Sequence, residues 1–170
     1  MISEIRSIPL TQGLFAIVDE CDYERVSQHK WHARNCDKRW YACRKVNNKA
    51  IYMHVGIAGK KAGFMTDHIN GNGLDNRRCN LRFATCQQNS ANREPSRNCV
   101  SKYKGVTYYK NTTSKHWAAR IGVNGETIWL GVFETEIEAA QAYDLAAIEH
   151  FGTFARINEY AKEELEDGRL

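Results

Sequence analysis

Four consecutive residues, Asn70-Gly71-Asn72-Gly73, restrict this chain more than any other stretch. Asparagine and glycine tolerate positive φ, so a run of them reverses the backbone within a few residues. Apolar pieces flank the reversal. Phe64-Met65-Thr66 leads into Asp67-His68 as one strand, and Asn80-Leu81-Arg82-Phe83-Ala84 alternates and returns as another. Thr85 with Gln88 three residues on reads as a capping box, which starts a helix at Cys86. On that helix Asn89, Asn92 and Arg93 share one face. Strand, loop, strand and helix are expected inside residues 64–93.

This frame gathers a particular chemistry. Hydrolysing a phosphodiester needs an activated water and relief of charge on the leaving oxygen. A hard divalent cation held by carboxylate and amide oxygens supplies the second. A histidine with an ordinary pKa near ~6.5 can take the water's proton at neutral pH. Asp67 offers an anionic ligand, His68 the base and Asn89 a neutral oxygen, while Asn80 can bond backbone or imidazole and hold His68 in one tautomer. The same residue types also brace loops, with Asp67 and the asparagines stabilising turns and His68 incidental. Residue types alone leave both readings open.

Composition narrows the setting. At 170 residues the chain has room for one ordinary domain or two small ones, and a hydrophobic share of 42% supports a modest core. No run approaches the roughly 20 apolar residues of a membrane span, and the N-terminus lacks the regions of a signal peptide. A soluble, cytoplasmic protein is expected. The six cysteines include no Cys-x-x-Cys pair, so reduced, mostly packed thiols are expected. Charge is uneven: residues 1–133 carry 21 Lys and Arg against 10 Asp and Glu, whereas residues 134–170 carry 3 against 10. A basic body with an acidic end points to a polyanionic partner.

Residues 5–18 read as extended around Gly13, and 22–29 as a short helix. Residues 31–34 and 39–44 alternate like a hairpin joined by 35–38, and 51–53 read as a strand leading to His54. Trp31, Arg34, Arg39, Trp40, Arg44 and Lys45 suit contact with a phosphate backbone, and equally suit strands with wet tips. His29, His32 and His54 have no metal-ligand spacing.

Past residue 94, Glu94-Pro95-Ser96-Arg97 breaks the helix and reads as a connector. Three strands follow, over 103–109, 116–123 and 126–133, the last two joined by Asn124-Gly125, a strong hairpin signal. Thr135 with Glu138 forms another capping box, and an alanine-rich helix runs to about His150 before Gly152. Three strands under one helix leave a sheet face open, with Lys104, Trp117 or Arg120, and Trp129 on it, suited to a DNA major groove.

Two resemblances sharpen this. Asp67-His68-Ile69-Asn70-Gly71-Asn72, Leu74-Asp75-Asn76-Arg77-x-x-Asn80-Leu81-Arg82 and Gln87-Gln88-Asn89-x-x-Asn92 together resemble the HNH endonuclease motif. The His-Asn-Asn variant of phage and intron-encoded homing endonucleases is the nearest form. The resemblance implies a ββα-metal fold with His68 as general base, Asn80 as the orienting residue, and Asp67 with Asn89 holding one divalent cation, Mg2+ or Mn2+. The family often has Met-His-Arg ahead of the motif, where this chain has Met53-His54-Val55, and the cysteine pairs of zinc-bound relatives are absent, so no structural zinc is expected. Residues 103–158 resemble the Apetala-type, ethylene-response-factor DNA-binding domain through Tyr103-Lys104-Gly105-Val106, Trp117-Ala118-Ala119, Trp129-Leu130-Gly131-x-Phe133, Glu138-Ala139-Ala140 and Ala155-x-x-Asn158. That implies DNA contact from Lys104, Thr107, Tyr109, Trp117, Arg120 and Trp129. The family's arginine-rich first strand is here Thr107-Tyr108-Tyr109, so its base preference does not transfer.

The expectation is therefore an α+β protein: an HNH domain over 1–95 with its ββα-metal core at 64–93, a linker at 96–102, an Apetala-type domain over 103–158 and an acidic tail over 159–170. It is expected to be a monomeric, homing-type endonuclease on double-stranded DNA with no membrane association, acting in a bacterial host's cytoplasm if phage-encoded. Arg77 and Arg93 join the DNA-contact candidates. A DNA-binding regulator with weak or lost chemistry is the alternative.

Overall fold

The computed structural model describes residues 4–36, 39–95, 99–110 and 116–160. Among these it is α+β, with several small sheets and four helices, and the chain divides into two units, Met1–Cys86 and Gln87–Leu170.

In the first unit β1 (Ile5–Pro9) and β2 (Phe15–Asp19) pair antiparallel. Gln12 and Gly13, both at positive φ, turn the chain between them. Helix α1 (Glu20–Ser27) starts directly after β2, two residues ahead of the expected 22–29. Glu20 and Asp22 in its first turn favour that early start by complementing the helix dipole. Strands β3 (His32–Cys36), β4 (Arg39–Val46) and β5 (Lys49–Tyr52) form a meander. Asn47 and Asn48, both at positive φ, make its second turn; half of the expected first turn, residues 37 and 38, lies outside the described residues. The strand expected over 51–53 stops at Tyr52, and Met53 opens helix α2 (Met53–Ala58), which buries Met53, His54 and Ile57. Ile8, Ala16, Val18, Val26, Trp31, Ala42, Met53 and Ile57 make one core. Trp31 is thus no DNA-contact residue: its indole is buried and its Nε1 donates to the Val26 carbonyl at 2.8 Å.

Strands β6 (Met65–His68) and β7 (Leu81–Ala84) form an antiparallel pair, and helix α3 (Cys86–Ala91) follows. The long turn between the strands is laced to the start of the chain. Ile17 N–H donates to the Leu74 carbonyl at 2.8 Å, and Asn76 N–H to the Ile17 carbonyl at 2.7 Å. The Arg78 N–H donates to Asp19 Oδ2 at 2.7 Å, and its guanidinium forks onto buried Asp22 at 2.7 and 2.9 Å.

The unit boundary falls at the start of α3, ahead of the stretch read as the linker. The Lys104 ammonium donates to the Ser90 and Ala91 carbonyls, and Arg156 N–H reaches the Ala91 carbonyl at 3.3 Å, tying the end of α3 to the second unit. Residues 96–98 of the expected linker and 161–170 of the expected tail lie outside the described residues.

The second unit holds a three-stranded antiparallel sheet in the order β8 (Val106–Tyr108), β9 (Trp117–Val123), β10 (Glu126–Phe133). Asn124 and Gly125, both at positive φ, join the last two. Helix α4 (Glu136–Phe151) opens on a formed capping box: Glu138 N–H donates to Thr135 Oγ1, and Thr135 N–H to Glu138 Oε2. Its Ala139, Ala140 and Ala147 are fully buried, letting the helix lie close to the sheet. The first strand is shorter than the expected 103–109 because Gly105 sits at φ +80 against the Tyr143 ring. Four of the six cysteines (Cys21, Cys79, Cys86, Cys99) are exposed, not packed as expected. No helix among the described residues is long and apolar enough to cross a membrane.

Candidate active site and nucleic-acid face

His68 closes β6 and is 5% exposed. Around it stand the rings of His54 at 4.8 Å and Tyr41 at 5.9 Å between centroids, with Tyr52 at 5.5 Å from His54. Its Nε2 lies 3.4 Å from Asn76 Oδ1. Burial pushes the His68 pKa below its ordinary value, against the opposing pull of the Asn76 hydrogen bond and the Asp67 and Asp75 charges. A neutral imidazole at neutral pH is the state that can accept a proton. His54 is held down to about 3 by its burial and by His68, and its Nδ1 is buried without a hydrogen-bond partner.

Asp67, 7% exposed, pairs in register with Arg82 across the hairpin, and the Arg82 Nε donates to its Oδ2 at 2.9 Å. Asn80 does not orient the imidazole by its side-chain protons. Both leave Nδ2 for the loop, to Asn70 Oδ1 at 3.0 Å and the Asp75 carbonyl at 2.8 Å, while its Oδ1 accepts from Asn70 N–H at 3.0 Å. Asn80 therefore braces the turn. Asn72 N–H donates to Asn70 Oδ1 and Leu74 N–H to Asn72 Oδ1, the local side-chain turns that such asparagines favour. Asp75, also buried, accepts from Asn70 Nδ2 and from a two-toothed Arg77 fork at 2.7 and 2.6 Å. Those Arg77 hydrogen bonds hold the Asp75 carboxyl below the usual range despite its burial. Arg77 was expected at DNA; its guanidinium instead clamps the loop.

Asn89 lies half-buried on α3 in the second unit. Arg93 falls just beyond the end of α3, not on its face, and is exposed. Among the described residues no group of three His, Cys, Asp or Glu is placed to hold a metal. Asp67 is a carboxylate of the first unit and Asn89 a side-chain amide of the second, each by itself an oxygen donor of the type a hard cation takes.

The sheet of the second unit sorts its candidates by face. Register puts Trp129 opposite Arg120, and Thr107 opposite Ala118, with the Tyr109 ring 5.6 Å from Trp129. Val106, Ala119, Ile121 and Leu130 pack with α4 residues on the other face. Arg120, the Trp129 indole and Thr107 therefore share the face away from α4, and Arg120 and Trp129 are exposed. Trp117 lies on the opposite face, half-buried against the core as are Leu130 and Phe133. Lys104 is also withdrawn: its ammonium caps α3, and its backbone N–H donates to Asn158 Oδ1 at 2.7 Å.

His54, Tyr41 and Asn76 were missed as neighbours of His68. His54 stands at the head of a helix rather than at a ligand spacing, and Tyr41 comes from β4, distant in sequence. Asn76 carried the one legible signal, as an asparagine inside the turn.

No protein-family model matches the chain. It is 35% identical over 149 residues to an uncharacterized HNH endonuclease of Acanthamoeba polyphaga mimivirus, covering 86% of this chain and 76% of that protein. It is also 42% identical over 66 residues to APETALA2-like protein 2 of Oryza sativa, covering 39% of this chain but 15% of that protein. An ethylene-responsive transcription factor of Arabidopsis thaliana matches at 44% over 61 residues, 35% of this chain and 14% of its own length. The similarity to the mimivirus protein spans most of both chains, and the chain belongs to the HNH endonuclease family.

Proposed function

We propose that this chain is a divalent-metal-dependent, homing-type endonuclease that cuts double-stranded DNA. The observation that carries the reading is a buried, neutral His68 beside Asp67 at the end of β6, in a chain of the HNH family. Strands β6 and β7 with α3 are read as the ββα-metal core. His68 takes the proton of a water whose oxygen bonds to phosphorus as the bridging P–O bond breaks, and the leaving oxygen takes a proton from solvent water. Asp67 and Asn89 would hold one cation, Mg2+ or Mn2+, which when bound relieves charge on the phosphate and the leaving oxygen. His54 and Tyr41 limit water and movement around the base. The Arg120, Trp129, Tyr109 and Thr107 face is read as the targeting surface, supported by the similarity to APETALA2-like proteins. Arg93 is an added backbone contact.

Incubation of supercoiled plasmid with Mg2+, with and without EDTA, tests this. The parent protein should cut only without chelator, and His68→Ala should be slower by about 100-fold or more. Equal cutting by His68→Ala would overturn the assignment. One observation favours a second reading, a DNA-binding regulator with weak chemistry: the Arg82 Nε donates to Asp67 Oδ2 at 2.9 Å, an oxygen that a cation would compete for. Metal-independent binding with no cleavage under Mg2+ or Mn2+ would select it.

A further inference from the structure

We propose that Asn72-Gly73 is a self-modification site, where the asparagine cyclises onto the next backbone nitrogen and opens to isoaspartate. The Gly73 nitrogen gives its proton to solvent and bonds to Asn72 Cγ; the Cγ–Nδ2 bond breaks and ammonia leaves. Water then adds to one of the two carbonyls of the five-membered imide and opens it. Opening at Cγ gives aspartate. Opening at the main-chain carbonyl gives isoaspartate, whose backbone runs through Cβ and Cγ and is one atom longer. A following glycine leaves the attacking nitrogen unhindered, and the chain holds three such pairs, Asn70-Gly71, Asn72-Gly73 and Asn124-Gly125. Hydrogen bonding separates them. Gly71 N–H donates to the His68 carbonyl at 2.9 Å, Asn70 Nδ2 to buried Asp75 at 2.9 Å, and Asn70 Oδ1 accepts from Asn72 N–H and Asn80 Nδ2. Nucleophile and leaving group are both held there, and cyclisation must first break those bonds. At the second pair, Gly73 N–H and Asn72 Nδ2 donate to nothing among the described residues, and Asn72 is exposed to solvent. Its one side-chain bond comes from Leu74 N–H to Oδ1 at 3.0 Å, which polarises the carbonyl under attack. Asn124 is exposed too, but among the described residues its side chain has no such donor.

The lengthened backbone falls where the loop has no room. A single carbon added at Gly73 would lie 2.5 Å from the Trp40 carbonyl oxygen and the Tyr41 ring, and that ring stands 5.9 Å from His68. The Asn72 carbonyl, which accepts from Asp75 N–H at 3.1 Å, also leaves the main chain when isoaspartate forms. Isoaspartate at position 72 therefore displaces Gly73 and Tyr41 and lowers cleavage. That loss rests on the nuclease reading; the modification itself does not.

The test holds the full chain in warm, mildly alkaline buffer without metal. Samples are mapped by peptide mass spectrometry, labelled with an isoaspartyl methyltransferase and assayed with Mg2+ on supercoiled plasmid. Asn72 should convert at least about 10-fold faster than Asn70. Cleavage should fall by about 10–100-fold with the same rate constant as isoaspartate appears at position 72, and the Tyr41 ring resonances should shift in step. Asn72→Ser keeps an acceptor for Leu74 N–H but cannot form the imide, so it should hold its cleavage rate through the same incubation. Asn70 converting as fast as Asn72 would overturn the proposal. So would Asn72 left intact once Asn124 has converted, or full cleavage by protein converted at position 72. A fresh parent protein that cuts no plasmid would instead remove the nuclease reading, and the peptide map and Tyr41 resonances would still decide the modification and its effect on the loop.

Discussion

At the scale of single residues, His54 carries a cost that the rest of its surroundings must offset. Its imidazole is buried, its Nδ1 lacks a partner and its pKa sits at about 3. Unfolded, the same side chain titrates near ~6.5. Between those values the unfolded chain binds the extra proton, so stability is fully present above ~6.5 and falls as the pH drops toward about 3. The slope contributed reaches ~1.4 kcal/mol per pH unit. His54→Phe keeps a ring against His68 and removes the titration. Urea unfolding from pH 7 to pH 5 should then show a flatter decline than the parent protein, and an identical decline would show that His54 is protonated in the fold. Gly105 makes a different demand. At φ +80, with an added Cβ only 1.9 Å from the Tyr143 ring, it admits no side chain. Gly105→Ala combines left-handed strain with overpacking and should cost about 2–5 kcal/mol, read as a lower melting temperature.

At the scale of elements, the site is a loop held by strands and a helix from elsewhere in the chain. The turn between β6 and β7 rests on β2 through Leu74 and Asn76, on α1 through Arg78, and on β4 through Gly73. At Gly73 an added Cβ would lie 2.5 Å from the Trp40 carbonyl and the Tyr41 ring. Gly73→Ala should lift the loop and shift Tyr41 off His68. Because small misplacements of a reacting group are expensive, kcat should fall by about 10–100-fold while DNA affinity stays level. A gel-shift assay beside the cleavage assay separates the two, and equal losses in both would contradict the local reading. Asp22→Asn removes the buried partner of Arg78 and Arg25 and should cost about 1–3 kcal/mol in thermal unfolding. The elements themselves were readable from the sequence wherever a local rule governs them: the Asn124-Gly125 hairpin, the Thr135 capping box, the β6–turn–β7 order. What could not be read was which distant backbone the loop's polar groups would meet. Asn80 and Arg77 have residue types suited to catalysis and DNA contact, and their real partners, Asn70 and Asp75, are chosen by how the turn closes. Trp117 and Arg120 sit three apart in one strand, so they point to opposite faces, a consequence of the two-residue period that a list of DNA-suited residue types overlooks.

At the scale of the whole molecule, charge is unevenly spread along the chain. Residues 1–133 hold 21 of the basic side chains against 10 acids, and they include both the His68 site and the β8–β9–β10 face. If the sheet face selects the site and the His68 unit cuts, substitution on the face should change where the enzyme acts more than whether it acts. Arg120 is the clearest probe, exposed and opposite Trp129 on the surface away from α4. A side chain reaching base edges from a strand is worth ~1–3 kcal/mol of discrimination, whereas one held on a phosphate weakens all sequences alike and lowers the salt slope by about one. Arg120→Ala should therefore weaken binding to the preferred site, leave binding to unrelated duplex within about 2-fold, and preserve the Mg2+-dependent cutting rate on saturating plasmid. Titrations of both duplexes from 50 to 200 mM salt distinguish the cases. A parallel fall on both sequences with a reduced slope would recast Arg120 as a backbone contact, and a lost cutting rate at saturation would place the sheet face in catalysis rather than in targeting.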